Sequence, residues 1–257
     1  MNAPFDHYGR YYDLLYRDKD YAAESEYIGQ LIARFAPGSQ HLLELGCGTG
    51  KHARELAQAG FCVTGVERSQ SMIQAATAAA NASDSDVSII AGDARSVRLE
   101  RTFDVVLSLF HVVSYQASNA DVLDFFRTAA IHLKQDGCFL FDIWYGPAVL
   151  SQLPEQRVKE MEDTQTVVRR IANPVIDLRR NLVDVNYSIT VIDKQTGQTD
   201  QLHESHRMRY FFEPEIELFA EAVGMRSVHC EPWLGGGLPT PQSWGVTCVL
   251  RKGKVST

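Results

Sequence analysis

The segment His41-Leu-Leu-Glu-Leu-Gly-Cys-Gly-Thr-Gly50 constrains the fold more than any other part of the chain, because an apolar strand pattern runs directly into glycines at alternate positions 46, 48 and 50. Glycine is favoured where the backbone takes φ > 0 or approaches a ligand closely. Residues 51–59 then read as a helix stopped by Gly60. A strand, glycine loop and helix in succession point exposed amides and a helix N-terminus at something bound above the carboxyl edge of a sheet.

Spacing separates the nucleotide-binding loops that begin this way. A phosphate loop needs Gly-x4-Gly-Lys-Ser/Thr, but Leu45 stands where its first glycine belongs and His52 where its hydroxyl belongs. The dinucleotide fingerprint needs a small residue at position 51, where this chain has Lys51, so a pyrophosphate site is disfavoured.

The surrounding sequence alternates strand and helix. Residues 61–66 form an apolar strand ending on Glu67, where a carboxylate can accept hydrogen bonds from two ribose hydroxyls. Residues 87–91 form a third strand followed by Gly92-Asp93, residues 103–109 a fourth, and residues 137–143 a fifth after a helix that ends near Leu133. Each acidic residue alone has a plainer reading, Glu67 as a charge before the next helix and Asp93 as part of a turn; their order along the chain is what makes them informative.

The rhythm breaks at residues 155–211. Residues 164–171, 182–192 and 201–211 read as consecutive strands, with Lys194-Gln-Thr-Gly197 as a turn, so an antiparallel sheet is expected to cover one end of the main sheet. Glu213-Pro214 opens a helix that Gly224 ends, and the stretch to Glu231 and residues 244–250 supply the last strands. The expected architecture is α/β: a doubly wound, mostly parallel, seven-stranded Rossmann-like sheet with an antiparallel β insertion. Residues 1–36 form a tyrosine-rich helical cap, 37–154 and 212–257 the core, and 155–211 the insertion.

Composition sets limits on function. A net charge of −7 with no long basic run argues against a nucleic-acid substrate and favours a small molecule. Cys47, Cys62, Cys138, Cys230 and Cys248 are scattered without a C-x-x-C pair and read as buried reduced thiols. No leader-like start and no apolar run long enough to cross a bilayer is present, so a cytoplasmic protein without a membrane partner is expected.

Glu44-x-Gly46-x-Gly48-x-Gly50, followed in order by Glu67, Asp93 and the strand at 103–109, resembles the motif series of class I S-adenosylmethionine-dependent methyltransferases. Within that family the chain is similar to bacterial N-methyltransferases of nucleotide-linked deoxyamino sugars. Residues 12–16 and 19–24, Leu109-Phe-His-Val-Val-Ser-Tyr115, and Glu204-Ser-His-Arg207 before Phe211 carry this likeness. The Asp142-Ile-Trp-Tyr-Gly-Pro147 stretch departs from those enzymes and leaves acceptor identity open.

The resemblance implies S-adenosyl-L-methionine as cofactor and S-adenosyl-L-homocysteine as product. It assigns cofactor contacts to Glu44, Gly46, Cys47, Gly48, Thr49, Gly50, Glu67, Arg68, Asp93, Ala94 and Leu109, with Asp93 beside the adenine amino group. Tyr12 matches the family's tyrosine near the transferred methyl, and His111 and Tyr115, just past the fourth strand, join it as catalytic candidates. Trp144, Tyr145, His206 and Arg207 are the acceptor candidates, and the insertion is expected to supply acceptor pocket and homodimer contacts. Transfer to an amine needs a neutral nucleophile and a nearby His, carboxylate or Tyr to take its proton. O- or C-methylation of another metabolite, or cofactor binding without turnover, are the alternatives. No metal is expected, since His203 and His206, three apart on a strand, face opposite sides.

Overall fold

A computed structural model of the chain describes residues 9–83 and 85–253; the first eight residues of the expected cap lie outside that description. The strands β1 (His41–Leu45), β2 (Cys62–Glu67), β3 (Val87–Ala91), β4 (Phe103–Ser108) and β5 (Leu133–Tyr145) form a parallel sheet in the order β3-β2-β1-β4-β5. The connecting helices are α3 (Lys51–Gln58), α4 (Gln70–Ala82) and α5 (Asn119–His132). β11 (Gly245–Lys252) runs antiparallel to β5, and β10 (Met225–Pro232) runs antiparallel to β11, which completes the seven-stranded sheet.

Both faces of this sheet are covered, and strand alternation decides what each covers. On β5, Phe139, Phe141, Ile143 and Tyr145 enter one core with Phe125 and Phe126 of α5 and Phe219 of α7 (Glu213–Glu221). Cys138 and Leu140 enter the other, with Leu56 of α3 and Ile28 and Ile32 of α2 (Tyr21–Phe35). Phe126 meets Phe139 edge to face at 5.6 Å and Phe141 at 5.5 Å; truncating such a ring costs about 3–5 kcal/mol. The Asp20 side chain caps α2, accepting from the Ala23 amide at 2.9 Å.

The antiparallel part contains one strand more than its patterning suggests. β6 (Arg157–Glu162), β7 (Thr166–Asp177), β8 (Leu182–Asp193) and β9 (Thr199–Phe211) pair successively. β6 is an edge strand of sequence RVKEME with little buried surface, so it lacks the apolar alternation that marks its neighbours. This sheet does not simply lie over the end of the main one. β9 joins β5 in parallel through Trp144–Tyr210 and Tyr145–Phe211, so the two sheets are continuous at the carboxyl end of β5. Helix α1 (Gly9–Leu15) docks here: its Leu15 is fully buried against Val168, Ile189 and Val191.

Candidate active site

A cavity of about 700 Å³ runs along the carboxyl ends of β1, β2 and β4, under α1, to the antiparallel strands. Gly46, Gly48 and Gly50 take φ of +79°, +56° and +70°, the left-handed region the alternating glycines predict. A Cβ at Gly46 would lie 2.6 Å from Val112 Cγ1, so this position also needs glycine for space.

The amides of this loop turn inward. Those of Gly46 and Cys47 donate to the Val66 carbonyl at 2.8 and 3.1 Å, that of Gly48 to Glu67 Oε2 at 3.0 Å, and that of Gly50 to the Cys47 carbonyl at 2.9 Å. The expectation of exposed amides therefore does not hold for these four, because β2 takes three of them and the loop itself the fourth. A loop so engaged is poorly suited to a phosphate, which needs converging free donors, and well suited to a cofactor without phosphates held close to backbone.

Two carboxylates flank the loop. Glu67 also accepts from the amides of Arg68 at 2.9 Å and Ser69 at 2.8 Å, both on Oε1, so its remaining acceptor capacity is on Oε2. Glu44 is fully buried with Oε2 lacking a hydrogen-bond partner, and burial, helped by Glu67, pushes its carboxyl up to about 8. His52 Nδ1 lies 4.0 Å from Glu44 Oε1, and its Nε2 meets Glu24 at 2.7 Å, with Lys19 pairing to Glu24 in turn. A buried, unsatisfied acid facing a cavity fits a ligand cation such as an α-ammonium group.

Asp93 lines the same end beside Ala94 and Arg68, and the Arg95 guanidinium, 2.7 Å from its Oδ2, holds its carboxyl below the usual range. Cys47, Thr49 and Leu109 also line the cavity; Thr49 donates to Asp13 of α1 at 2.9 Å, tying loop to cap. Gly50 does not line it and serves the turn into α3.

Tyr12, His111 and Tyr115 converge where the cavity passes under α1. The Tyr12 ring lies 4.7 Å from that of Tyr16, tilted by 47°, and meets Phe110 edge-on at 6.5 Å. Phe110 and His111 both take φ near the left-handed region, +65° and +63°, strain of the kind found where side chains are aimed for function. His111 Nδ1 sits 2.6 Å from Asp142 Oδ2, in ion-pair range but off the line a hydrogen bond requires, and the His111 amide donates to the same carboxylate at 3.0 Å.

Beyond them, Trp144, His206 and Arg207 line the cavity, joined by Trp244, Tyr187 and Arg157. Tyr145 does not. Alternation along β5 turns it from Trp144 into the core, where its hydroxyl donates to Glu213 at 3.1 Å, which removes it from the acceptor candidates. Arg207 is exposed and bidentate to Asp184 at 2.7 and 2.8 Å, whereas His206 is buried and His203 exposed, facing opposite sides as the spacing predicts. Trp244 was within reach of sequence reasoning: it precedes a strand whose first residue, Gly245, pairs with Trp144. Tyr187 and Arg157 carry no local signal. Among the described residues no group of His, Cys, Asp or Glu is placed to hold a metal ion.

The methyltransferase domain family matches residues 42–137. The dTDP-3-amino-3,4,6-trideoxy-alpha-D-glucopyranose N,N-dimethyltransferase of Streptomyces venezuelae is 28% identical over 86% of this chain and 90% of its own. The dTDP-3-amino-3,6-dideoxy-alpha-D-glucopyranose N,N-dimethyltransferase of Streptomyces fradiae is 28% identical over 83% and 82%. Among solved structures, DesVI of Streptomyces venezuelae superposes with a TM-score of 0.78 at 25% identity, covering 98% of this chain and 99% of that one. An S-adenosylmethionine-dependent methyltransferase of Clostridium acetobutylicum superposes with a TM-score of 0.80 at 21% identity, over 95% and 96%. Motif order, the glycine loop and these likenesses agree: the chain carries a methyltransferase domain over residues 42–137 and is similar over most of its length to S-adenosylmethionine-dependent methyltransferases.

Proposed function

We propose that the enzyme methylates the amino group of a nucleotide-linked amino sugar. The observation that carries this reading is the cavity itself, which continues from the glycine loop to an end walled by Trp144, Trp244 and Tyr187, with Arg157 and Arg207 at the same end. Aromatic faces suit a sugar or base, and arginines suit a diphosphate link. The similarity to amino-sugar N,N-dimethyltransferases over most of the chain supports the same acceptor class.

In this reading Glu44 would face the cofactor's α-ammonium, Glu67 would accept from its ribose, and Asp93 and Ala94 would border the adenine. The sulfonium supplies an electrophilic methyl and a good leaving group. The protein's task is then to align the acceptor nitrogen behind that carbon, exclude water and remove one proton from the amine. Tyr12, His111 and Tyr115 surround that point, and α1, tied down by Thr49–Asp13 and by Arg170 donating to Tyr16 at 2.9 Å, closes over it.

Residues 155–211 belong to the acceptor pocket and to a homodimer contact, supported by the exposed Val158, Val175 and Leu178 on that sheet and its turn. A cytoplasmic location accords with five unpaired cysteines; no helix among the described residues is long and apolar enough to cross a membrane. Incubation with methyl-labelled cofactor and a panel of nucleotide-linked amino and neutral sugars tests the acceptor class. Label is expected only on amino sugars, and transfer confined to neutral sugars or non-sugar metabolites would refute it.

A further inference from the structure

We propose that Tyr115, His206 and Glu204 form a proton relay that deprotonates the acceptor amine, with Glu204 as a positioning residue that holds and charges His206. The inference rests on the amine-acceptor reading above. Tyr115 Oη lies 2.7 Å from His206 Nδ1, and His206 Nε2 lies 3.0 Å from Glu204 Oε2. Two unconnected stretches of chain, the 3₁₀ turn Val112–Tyr115 and strand β9, meet here. His206 and Glu204 are two apart on one buried face of β9, at 2% and 8% exposure.

The arrangement repeats the logic of a nucleophile–imidazole–carboxylate triad with the nucleophile replaced by a phenol at the cavity wall. Glu204, bonded to Nε2, fixes the tautomer that keeps Nδ1 as an acceptor for Tyr115. A proton leaving the acceptor ammonium is taken by Tyr115 Oη as the phenol passes its own proton to His206 Nδ1. Tyr115 ends neutral, the amine gains its lone pair, and the imidazolium is paired with the Glu204 carboxylate. Its proton returns to solvent after product leaves, so none is unaccounted for.

The groups facing His206 are compatible with this. Besides Tyr115 and Glu204, Tyr187 of β8 meets the imidazole edge-on at 4.8 Å, and Arg170 of β7 lies over the Tyr187 ring at 4.9 Å. Burial and neighbouring charge push the Tyr187 phenol up to about 12, so it stays neutral throughout. His111 is paired instead to Asp142. Its carboxylate partner already receives the His111 amide, a bond that fixes the strained turn.

The test has two arms on the full-length enzyme. In the complex with S-adenosylhomocysteine, the His206 tautomer is read by nitrogen NMR in the wild type, Glu204→Gln and Tyr115→Phe. Removing the Glu204 carboxylate is expected to shift the His206 nitrogen resonances away from the single tautomer with its proton on Nε2, with S-adenosylhomocysteine affinity and melting temperature little changed. In the second arm, kcat with the amino-sugar acceptor is expected to fall at least tenfold in both variants. The acid limb of its pH profile should move to lower pH in Glu204→Gln, and Glu204→Asp should restore part of the rate. Unchanged His206 nitrogen resonances overturn the relay whatever the acceptor is, and so does an unchanged kcat and acid limb in variants that bind S-adenosylhomocysteine normally. Absence of amino-sugar turnover by the wild type strikes the acceptor reading instead, and with it the amine step of the relay.

Discussion

Glu44 offers the sharpest test of how the cofactor site was built, because stability and function should respond in opposite directions to its removal. Its carboxyl is fully buried, one oxygen has no hydrogen-bond partner, and its pKa is raised from 4.5 to about 8, by burial first and by Glu67 second. A folded-state pKa above the unfolded one means that the unfolded chain ionises from pH 4.5 upward while the folded, cofactor-free enzyme keeps its proton. Stability is therefore lost as pH rises through this window and levels off above about 8. At pH 7 the penalty is on the order of 3 kcal/mol.

The substitution Glu44→Gln keeps the shape and removes the ionisation. It should raise the stability of the cofactor-free enzyme at pH 7 by up to that amount, roughly 6–12 °C in melting temperature for a chain of this size, and give no gain at pH 4.5. Urea unfolding at pH 5 and pH 8 measures the first effect. Titration with S-adenosylhomocysteine measures the second: wild-type affinity should rise with pH by at most about tenfold per unit as Glu44 releases its proton to solvent and pairs with the bound ammonium, and the variant should bind more weakly with a flat profile. A variant that is less stable than wild type at pH 7, with the wild-type pH dependence of binding intact, would show that Glu44 is already charged and internally paired.

Other residues make separate predictions. Glu67→Ala removes the acceptor of three backbone amides and, in the proposed placement, of the ribose, so S-adenosylhomocysteine binding by calorimetry should weaken by about 1–3 kcal/mol in a protein that still folds; unchanged affinity means the ribose lies elsewhere. Gly46→Ala places a methyl against Val112 at a φ of +79° and should cost about 1–3 kcal/mol of stability by urea unfolding, as well as cofactor affinity, whereas Gly60→Ala, at φ +97° but in open space, should leave affinity intact. Trp144→Ala should raise the acceptor KM with little effect on stability, while Tyr145→Phe should cost stability by about 1 kcal/mol and leave KM alone; the reverse pattern in steady-state kinetics would put the acceptor on the wrong face of β5.

The cofactor half of the site was legible because its requirements are local. Gly46 and Gly48 have to be glycine for backbone reasons, and Glu67 and Asp93 sit at strand ends that hydrophobic runs mark in the sequence. What could not be read there was the direction of the loop amides, since the carbonyl of Val66 that receives two of them belongs to another strand. The acceptor half was less legible for the same reason made larger. Tyr115 and His206 are 91 residues apart, Arg170 reaches Tyr16 across 154, and no pattern in either segment announces the other. Tyr145 is different: period-two alternation forbids it and Trp144 from facing the same side, so its inward turn follows from spacing alone. β6 escaped notice because an exposed edge strand carries charges where an inner strand carries valine.

The central claim is that this cavity moves a methyl group from sulfur to the nitrogen of a nucleotide-linked amino sugar. Carbon NMR of the product formed from S-adenosylmethionine enriched in carbon-13 at the methyl reads that bond directly. The account predicts an N-methyl resonance correlated with the proton on the amine-bearing sugar carbon, appearing in step with S-adenosylhomocysteine. An O-methyl or C-methyl resonance, or S-adenosylhomocysteine formed without label on the sugar, would contradict it.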